Sequence, residues 1–313
     1  MGRLQNNKAN AILDAAVKGK YAIPAVCVVS CSLTHRAPSP TNVLKANAMS
    51  NLPPQQYNLE GALATLRAAE AKRSPAMLLL FPWCLSYTPH LAHLCASMAR
   101  SAHVPLTVHM DHAQTPALVR EAADLGAFDS IMVDMSHYSK DENLKLTREL
   151  TTYCHERGIA TEAEPGRIEG GEDGVAQTAD LEGVLTTAEE ARRFVDTGID
   201  WLAPAFGNVH GEYGPRGVRL EYERLEGINE AVGGGRGVRL VAHGTDPFTP
   251  EIYERLIGVG ISKVNINKVV NRRYMELQKE GRLGLTALME EGTRRMQEVV
   301  EESMDMFGST GKA

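Results

Sequence analysis

The sequence lacks a paired cysteine pattern. Its five cysteines, Cys27, Cys31, Cys84, Cys95 and Cys154, are odd in number and form no CxxC. That excludes a disulfide framework and a zinc ribbon, and fits reduced intracellular thiols. Basic charge is not in excess either. The net charge is −6 with His neutral, which leaves no electrostatic footprint for nucleic acid. No uninterrupted apolar run reaches membrane-spanning length. The opening MGRLQNNKANAIL has no apolar stretch of signal-peptide length, and Asn6 stands where a myristoylation motif needs Ser or Thr. These absences predict a cytosolic protein whose partners are neither nucleic acid nor membrane.

What is present is alternation. Short β-rich runs cover Ala22–Ser30, Ala76–Phe81, Pro105–Met110, Ser130–Met135, Ala160–Glu164, Trp201–Phe206, Arg239–His243 and Lys263–Asn267. Helical stretches lie between them, among them Leu59–Ala71, Pro116–Leu125, Lys140–Glu156 and Ala188–Asp196. Thr115 and Thr249 precede prolines as N-caps. Eight such β runs in 313 residues predict an α/β protein, a single (β/α)8 TIM barrel. A doubly wound sheet normally carries a glycine fingerprint after its first strand, and none follows Ser30. Two additions to a minimal barrel are expected: a long loop over 30–57, and a helical C-terminal extension from about 269. In the extension Leu285, Leu288, Met289, Met296 and Val299 form one apolar side. Packing against the barrel wall is the expected use of that side, with a subunit interface as the alternative.

In a barrel, catalytic side chains come from the carboxyl ends of several strands. The third run ends "VPLTVHMDHA", with Asp111 and His112. The fourth is followed by Asp134, Ser136 and His137. The fifth carries Glu162 and Glu164 and leads into a glycine-rich loop able to carry Glu172 to and from a site. His210 follows the sixth run and His243 the seventh. Asn265 and Asn267 end the eighth. His112, His210 and His243 thus fall on one face. Three imidazoles with an open fourth position form a catalytic zinc arrangement.

The motifs "VPLTVHMDHA", "SIMVDMSH", "TEAEPGRIEGGEDGV", "DTGIDWLAPAFGNVHGEY", "LVAHGTD" and "GVGISKVNIN", in this order, resemble the class II, metal-dependent fructose-bisphosphate aldolase family. The resemblance implies that His112, His210 and His243 hold Zn2+. It implies that Asp111 is the acid/base at the oxygen of the bond being cleaved. Glu172 is then the group that exchanges a proton at the ketose carbon beside the carbonyl. Asp134 and Glu164 match positions that bind a second or displaced metal in some members. Gly211, Gly244, Thr245, Asp246, Asn265, Asn267 and Lys268 match segments that bind dihydroxyacetone phosphate. A homo-oligomer acting on a sugar phosphate or a related ketone is the family-level expectation.

The departures concern phosphate. Asp246 stands where the family usually has Ser, and Lys268 where it usually has Thr. A carboxylate repels a phosphate dianion, so Asp246 and Lys268 are expected to pair. That pair would close the phosphate slot and shift activity to another hydroxy-carbonyl compound. Alternatively Lys268 replaces the lost phosphate donors. Two other classes compete. A barrel hydrolase commonly begins with His-x-His at the end of strand one, and "AVCVVSCS" has none. A non-catalytic metal-binding barrel has no need of both Asp111 and Glu172.

Overall fold

The computed structural model describes residues 2–28, 59–170, 182–215, 217–234 and 237–313. The 30–57 loop and Glu172 lie outside them. The first half of the chain runs α1 (Lys8–Gly19), β1 (Ile23–Cys27), α2 (Leu59–Lys72), β2 (Ala76–Leu80), α3 (Trp83–Tyr87), α4 (Pro89–Ser101), β3 (Leu106–Ala113), α5 (Pro116–Leu125), β4 (Ser130–Val133) and α6 (Lys140–His155). The second half runs β5 (Ala160–Ala163), β6 (Glu169–Gly170), α7 (Ala188–Val195), β7 (Trp201–Leu202), β8 (Val209–His210), α8 (Tyr222–Ala231), β9 (Arg239–Ala242), α9 (Pro250–Val259), β10 (Ile261–Ile266), α10 (Lys268–Glu280) and α11 (Leu285–Met306).

Strands β1, β2, β3, β4, β5, β7, β9 and β10 close into a barrel in that order, and every pairing is parallel. This is the predicted (β/α)8 TIM barrel. Residues of β1 to β5 are buried throughout, as expected for parallel strands covered on both faces. The helices begin where the sequence says they should. The Thr115 hydroxyl accepts the Leu118 N–H at 3.2 Å, and Thr187 and Glu190 form a capping box at α7. Thr249 occupies the N-cap of α9 but makes no side-chain cap bond.

The amino ends of the strands are sealed by α1, which was not among the helices read from the sequence. Asn10 Oδ1 accepts the Trp201 indole N–H at 2.7 Å. Asp200, fully buried, accepts from Leu4 N, Asn10 Nδ2, His155 Nε2 and Thr161 N, each at 2.8 Å. Four donors around one carboxylate satisfy it in the absence of solvent, and one of them, Thr161 N, belongs to β5.

The C-terminal extension only partly meets its expectation. Met296 and Val299 are buried, together with Val300 and Met304. Leu285 and Met289 are instead exposed, Leu285 by 75%. At 22 residues, α11 is roughly 33 Å long and its first two turns outrun the wall it packs on.

Asp200 is the simplest test of the amino-end seal. Asp200→Ala should lower stability by roughly 3–5 kcal/mol, because it strands several buried donors at once. Urea unfolding reads this directly. A loss below about 1 kcal/mol would mean that water replaces the carboxylate at little cost.

Candidate metal centre

The carboxyl ends of the strands carry the polar cluster. Asp111 and His112 are neighbours in β3, and side chains alternate along a strand. Both are nonetheless buried inside the barrel mouth. The β3–β4 register explains how: it runs Met110↔Ile131 and then Ala113↔Val133, one residue out of step. His112 takes φ 51, in the left-handed region. This bulge turns His112 to the same side as Asp111. A non-glycine residue in that conformation is strained, and such strain gathers at functional sites.

His210 ends β8, which pairs with β6 so that Gly170 lies opposite it. Gly170 has φ 85, and a Cβ there would meet the His210 carbonyl oxygen at 2.2 Å. His243 follows β9. Its neighbour Gly244, at φ 65, lies against β8, where a Cβ would come within 2.3 Å of the Val209 oxygen. Only glycine permits both approaches.

The three rings converge. Their centroids are 5.0 Å apart for His112–His210, 5.0 Å for His112–His243 and 5.6 Å for His210–His243. One nitrogen from each ring lies within 4.8 Å of the others. The outer nitrogens have partners. His112 Nδ1 donates to Asp134 Oδ2 at 2.9 Å, and His243 Nε2 donates to Glu162 Oε1 at 2.8 Å. A carboxylate only accepts, so it fixes the tautomer of the ring that it holds. The inner nitrogens, His112 Nε2 and His243 Nδ1, then face each other at 3.2 Å. Two nitrogens on one tetrahedral Zn2+ lie roughly 3.3 Å apart, given bonds of 2.0–2.1 Å. The residues fit a divalent ion held by three imidazoles.

The charges around this point are arranged for a cation. Burial opposes charge on His112, but Asp111 and Asp134 outweigh it and lift its pKa to about 10. Burial and the neighbouring His112 and His243 push His210 well below the usual imidazole range. Burial raises Asp134, yet His112 and Ser136 hold it low. Glu164 goes the other way, raised well above its usual value by burial and by Asp134. Its Oε1 accepts the Ile168 N–H at 2.7 Å, and its Oε2 is buried without a partner. His112, Asp134 and Glu164 form a second group able to hold an ion.

A third such group, His109, Asp111 and Glu162, is a different case. Lys263 Nζ lies 2.7 Å from Glu162 Oε2, so an ammonium already fills the cation's place. His109, Glu162 and Lys263 had no assigned role in the sequence reading. The signal was available: residues two apart in one strand face the same way. His109 with Asp111, Glu162 with Glu164, and Lys263 with Asn265 are such pairs, and one member of each had been singled out.

The remaining predicted residues divide. Asn265 Nδ2 donates to Asp111 Oδ2 at 2.9 Å, while Asp111 Oδ1 is buried without a hydrogen-bond partner. Thr245 is turned inward, its hydroxyl donating to the Asn265 carbonyl at 2.5 Å. The expected Asp246–Lys268 side-chain pair does not form. Asp246 instead accepts backbone N–H groups of Asn267 at 3.4 Å, Lys268 at 3.2 Å and Val269 at 3.3 Å. The first turn of α10 offers several orphan donors and the positive end of its dipole. For a carboxylate already beside them, these replace a flexible ammonium. Lys268 and Arg272 line an adjacent cavity of about 410 Å³ with Gly211, Tyr213 and Asp246.

Fold and site together define a class: a (β/α)8 enzyme with a buried imidazole cluster and an acid beside it at the catalytic face. Comparison with known proteins narrows the class. Residues 45–312 match the family "Fructose-bisphosphate aldolase class-II". A Coccidioides immitis protein provisionally named a fructose-bisphosphate aldolase is 56% identical, covering 99% of this chain and 96% of its own. A solved structure from that organism superposes with a TM-score of 0.87 and covers 99% of each chain. The fructose-bisphosphate aldolase of Streptococcus pneumoniae is 34% identical over 82% of this chain and 91% of its own. The YdjI aldolase of Escherichia coli K12 matches at 27% identity and TM-score 0.77, over 97% of this chain and 98% of its own. The chain belongs to the class II fructose-bisphosphate aldolase family, and is an aldehyde-lyase of that class.

The convergence of the rings predicts that His210→Ala, which removes one of the three converging imidazoles, weakens zinc binding by at least about 100-fold in a competition titration with a chromophoric chelator. The unaltered protein should take up one equivalent in the same titration. Undiminished affinity in the variant would remove His210 from the centre.

Proposed function

We propose that this chain catalyses metal-dependent, reversible aldol cleavage of a ketose, with His112, His210 and His243 holding one zinc ion. The observation that carries the reading is the 3.2 Å approach of two inward ring nitrogens whose outer nitrogens are each held by a carboxylate. A divalent ion there supplies the electrophile for the charge that builds on the ketone oxygen as the carbon–carbon bond breaks. Asp111 is the acid/base for the hydroxyl oxygen at that bond. Asn265 Nδ2 holds its Oδ2, and His109 Nε2 stands 3.6 Å from its Oδ1. Glu172 is the acid/base at the ketone-side carbon. That role rests on the sequence motif, and Gly170, two positions before Glu172 in the chain, pairs with His210. A carboxylate on a loop can enter after substrate binding and leave water outside. Asp134 and Glu164 serve as the position of a second or displaced ion.

The family supports a sugar phosphate as substrate, with Gly211, Gly244, Thr245, Asp246, Asn265, Asn267 and Lys268 around its ketone half. A second reading has its own support. Asp246 already uses the α10 amide groups that suit a phosphate, so the ketone half ends in a group less charged than a phosphate dianion. Lys268 and Arg272 face the same cavity and favour an anion of some kind, which makes the choice experimental. The protein is further proposed to be cytosolic and to act as a homo-oligomer. No helix among the described residues is long and apolar enough to cross a membrane. Exposed Leu283, Leu285 and Met289 support self-association at the α10–α11 corner.

Two substitutions test these roles. Asp111→Asn should cut ketose cleavage by about 10²–10⁴-fold while zinc stays bound; cleavage within threefold of the unaltered protein would exclude the residue from the proton transfer. Asp246→Ser should raise kcat/KM on fructose 1,6-bisphosphate, by about tenfold if one charge–charge conflict of about 1.4 kcal/mol is relieved. A fall instead would mean that the carboxylate builds the slot as a phosphate acceptor needs it.

A further inference from the structure

Beneath the imidazole cluster lies a buried ion pair that the reaction does not use. Lys263, on β10, and Glu162, on β5, are both fully buried. Lys263 Nζ is 2.7 Å from Glu162 Oε2 and stands over the Trp201 ring, 5.7 Å from its centroid. A lysine in a dry core needs a reason, since an apolar pair of similar shape is often as stable. The reason is visible one bond further on, where the other oxygen of Glu162 accepts from His243 Nε2.

We infer that Lys263 and Glu162 are a positioning pair that fixes which ring nitrogen His243 presents to the metal. An ammonium can only donate, so Lys263 demands an oxygen from residue 162. A carboxylate has a second oxygen to offer, and that one only accepts. His243 must therefore carry its proton on Nε2 and turn the Nδ1 lone pair toward His112. Neither Lys263 nor Glu162 touches the metal position; both act through His243. The same ammonium keeps a cation out of the group formed by His109, Asp111 and Glu162, which directs metal to the three imidazoles. This inference rests on the reading of those imidazoles as the ligands.

The orientation logic makes an unusual prediction. In Glu162→Gln, Lys263 still claims the oxygen, so the amide NH2 must face His243 Nε2. The ring is then driven to the tautomer with its proton on Nδ1, facing the metal. Zinc affinity should fall by about 10–100-fold, the usual effect of disturbing such a partner. Adding Lys263→Met frees the amide to turn its oxygen to His243, and the double variant should recover most of the affinity. The experiment is a competition titration with Zn2+ alone on the unaltered protein, Glu162→Gln, and the double variant. Unchanged affinity in Glu162→Gln overturns the inference and leaves the ligand assignment standing. A double variant no better than the single one removes Lys263 from the device. Failure of the unaltered protein to bind zinc overturns the ligand assignment and the inference with it. If the variants do not fold, histidine 15N NMR of the zinc-loaded unaltered protein decides. The inference requires His243 bound through Nδ1 with Nε2 protonated, and binding through Nε2 overturns it.

Discussion

A strand sends successive side chains to opposite faces, and a closed barrel makes one of those faces its interior. Asp111 and His112 are successive, and both are nonetheless buried inside. The one-residue slip between β3 and β4, with His112 at φ 51, is the local answer. Much else depends on it. It brings His112 within reach of Asp134 on one side and His243 on the other. It leaves Asp111 on the regular inward face, where Asn265 from β10 can hold it. A regular β3 would turn His112 into the layer between strands and helices, and the imidazole cluster would have two members.

The second constraint is charge. Asp111, Asp134, Glu162 and Glu164 are all buried in the barrel mouth. Buried carboxylates must be paired, hydrogen-bonded or neutral. Here each solution is used once or more. Glu162 has an ammonium and an imidazole, Asp134 has an imidazole and Ser136, and Glu164 is driven toward its neutral form. Asp111 has Asn265 on one oxygen and His109 Nε2 at 3.6 Å from the other. The divergent shifts of Asp134 and Glu164 follow from their closeness, since two adjacent carboxylates resist ionising together. A divalent ion brings positive charge to the place where these groups leave most of it wanting.

The sequence was legible where one rule decided the outcome. Hydrophobic runs of strand length separated by capped helices identified the barrel, and the Pro116–Leu125 helix emerged with the predicted bounds. Polar residues at the strand ends pointed to His112, His210 and His243, and their rings come together because a barrel gathers those ends in one place. Reading failed where tertiary competition decides. Asp246 and Lys268 are complementary charges, and sequence offers no sight of the α10 amide groups that take the carboxylate. The seal at the amino ends was missed although α1 carries a helical apolar period at Ala9, Ile12, Leu13 and Ala16, because its tie to the strands runs through Asn10 and Asp200, polar residues 190 positions apart. His109 and Lys263 were passed over because a titratable residue deep in an apolar run reads as noise until its cross-barrel partner is known.

Zinc X-ray absorption on protein loaded with one equivalent of Zn2+ tests the central claim most directly, because it reads the ligands without depending on substrate. The geometry predicts a shell of nitrogen and oxygen only, at roughly 2.0–2.1 Å, with outer-shell scattering that requires three imidazoles. Sulfur in the shell, or scattering accounted for by one imidazole and carboxylates, would contradict the assignment of His112, His210 and His243 as the metal's ligands.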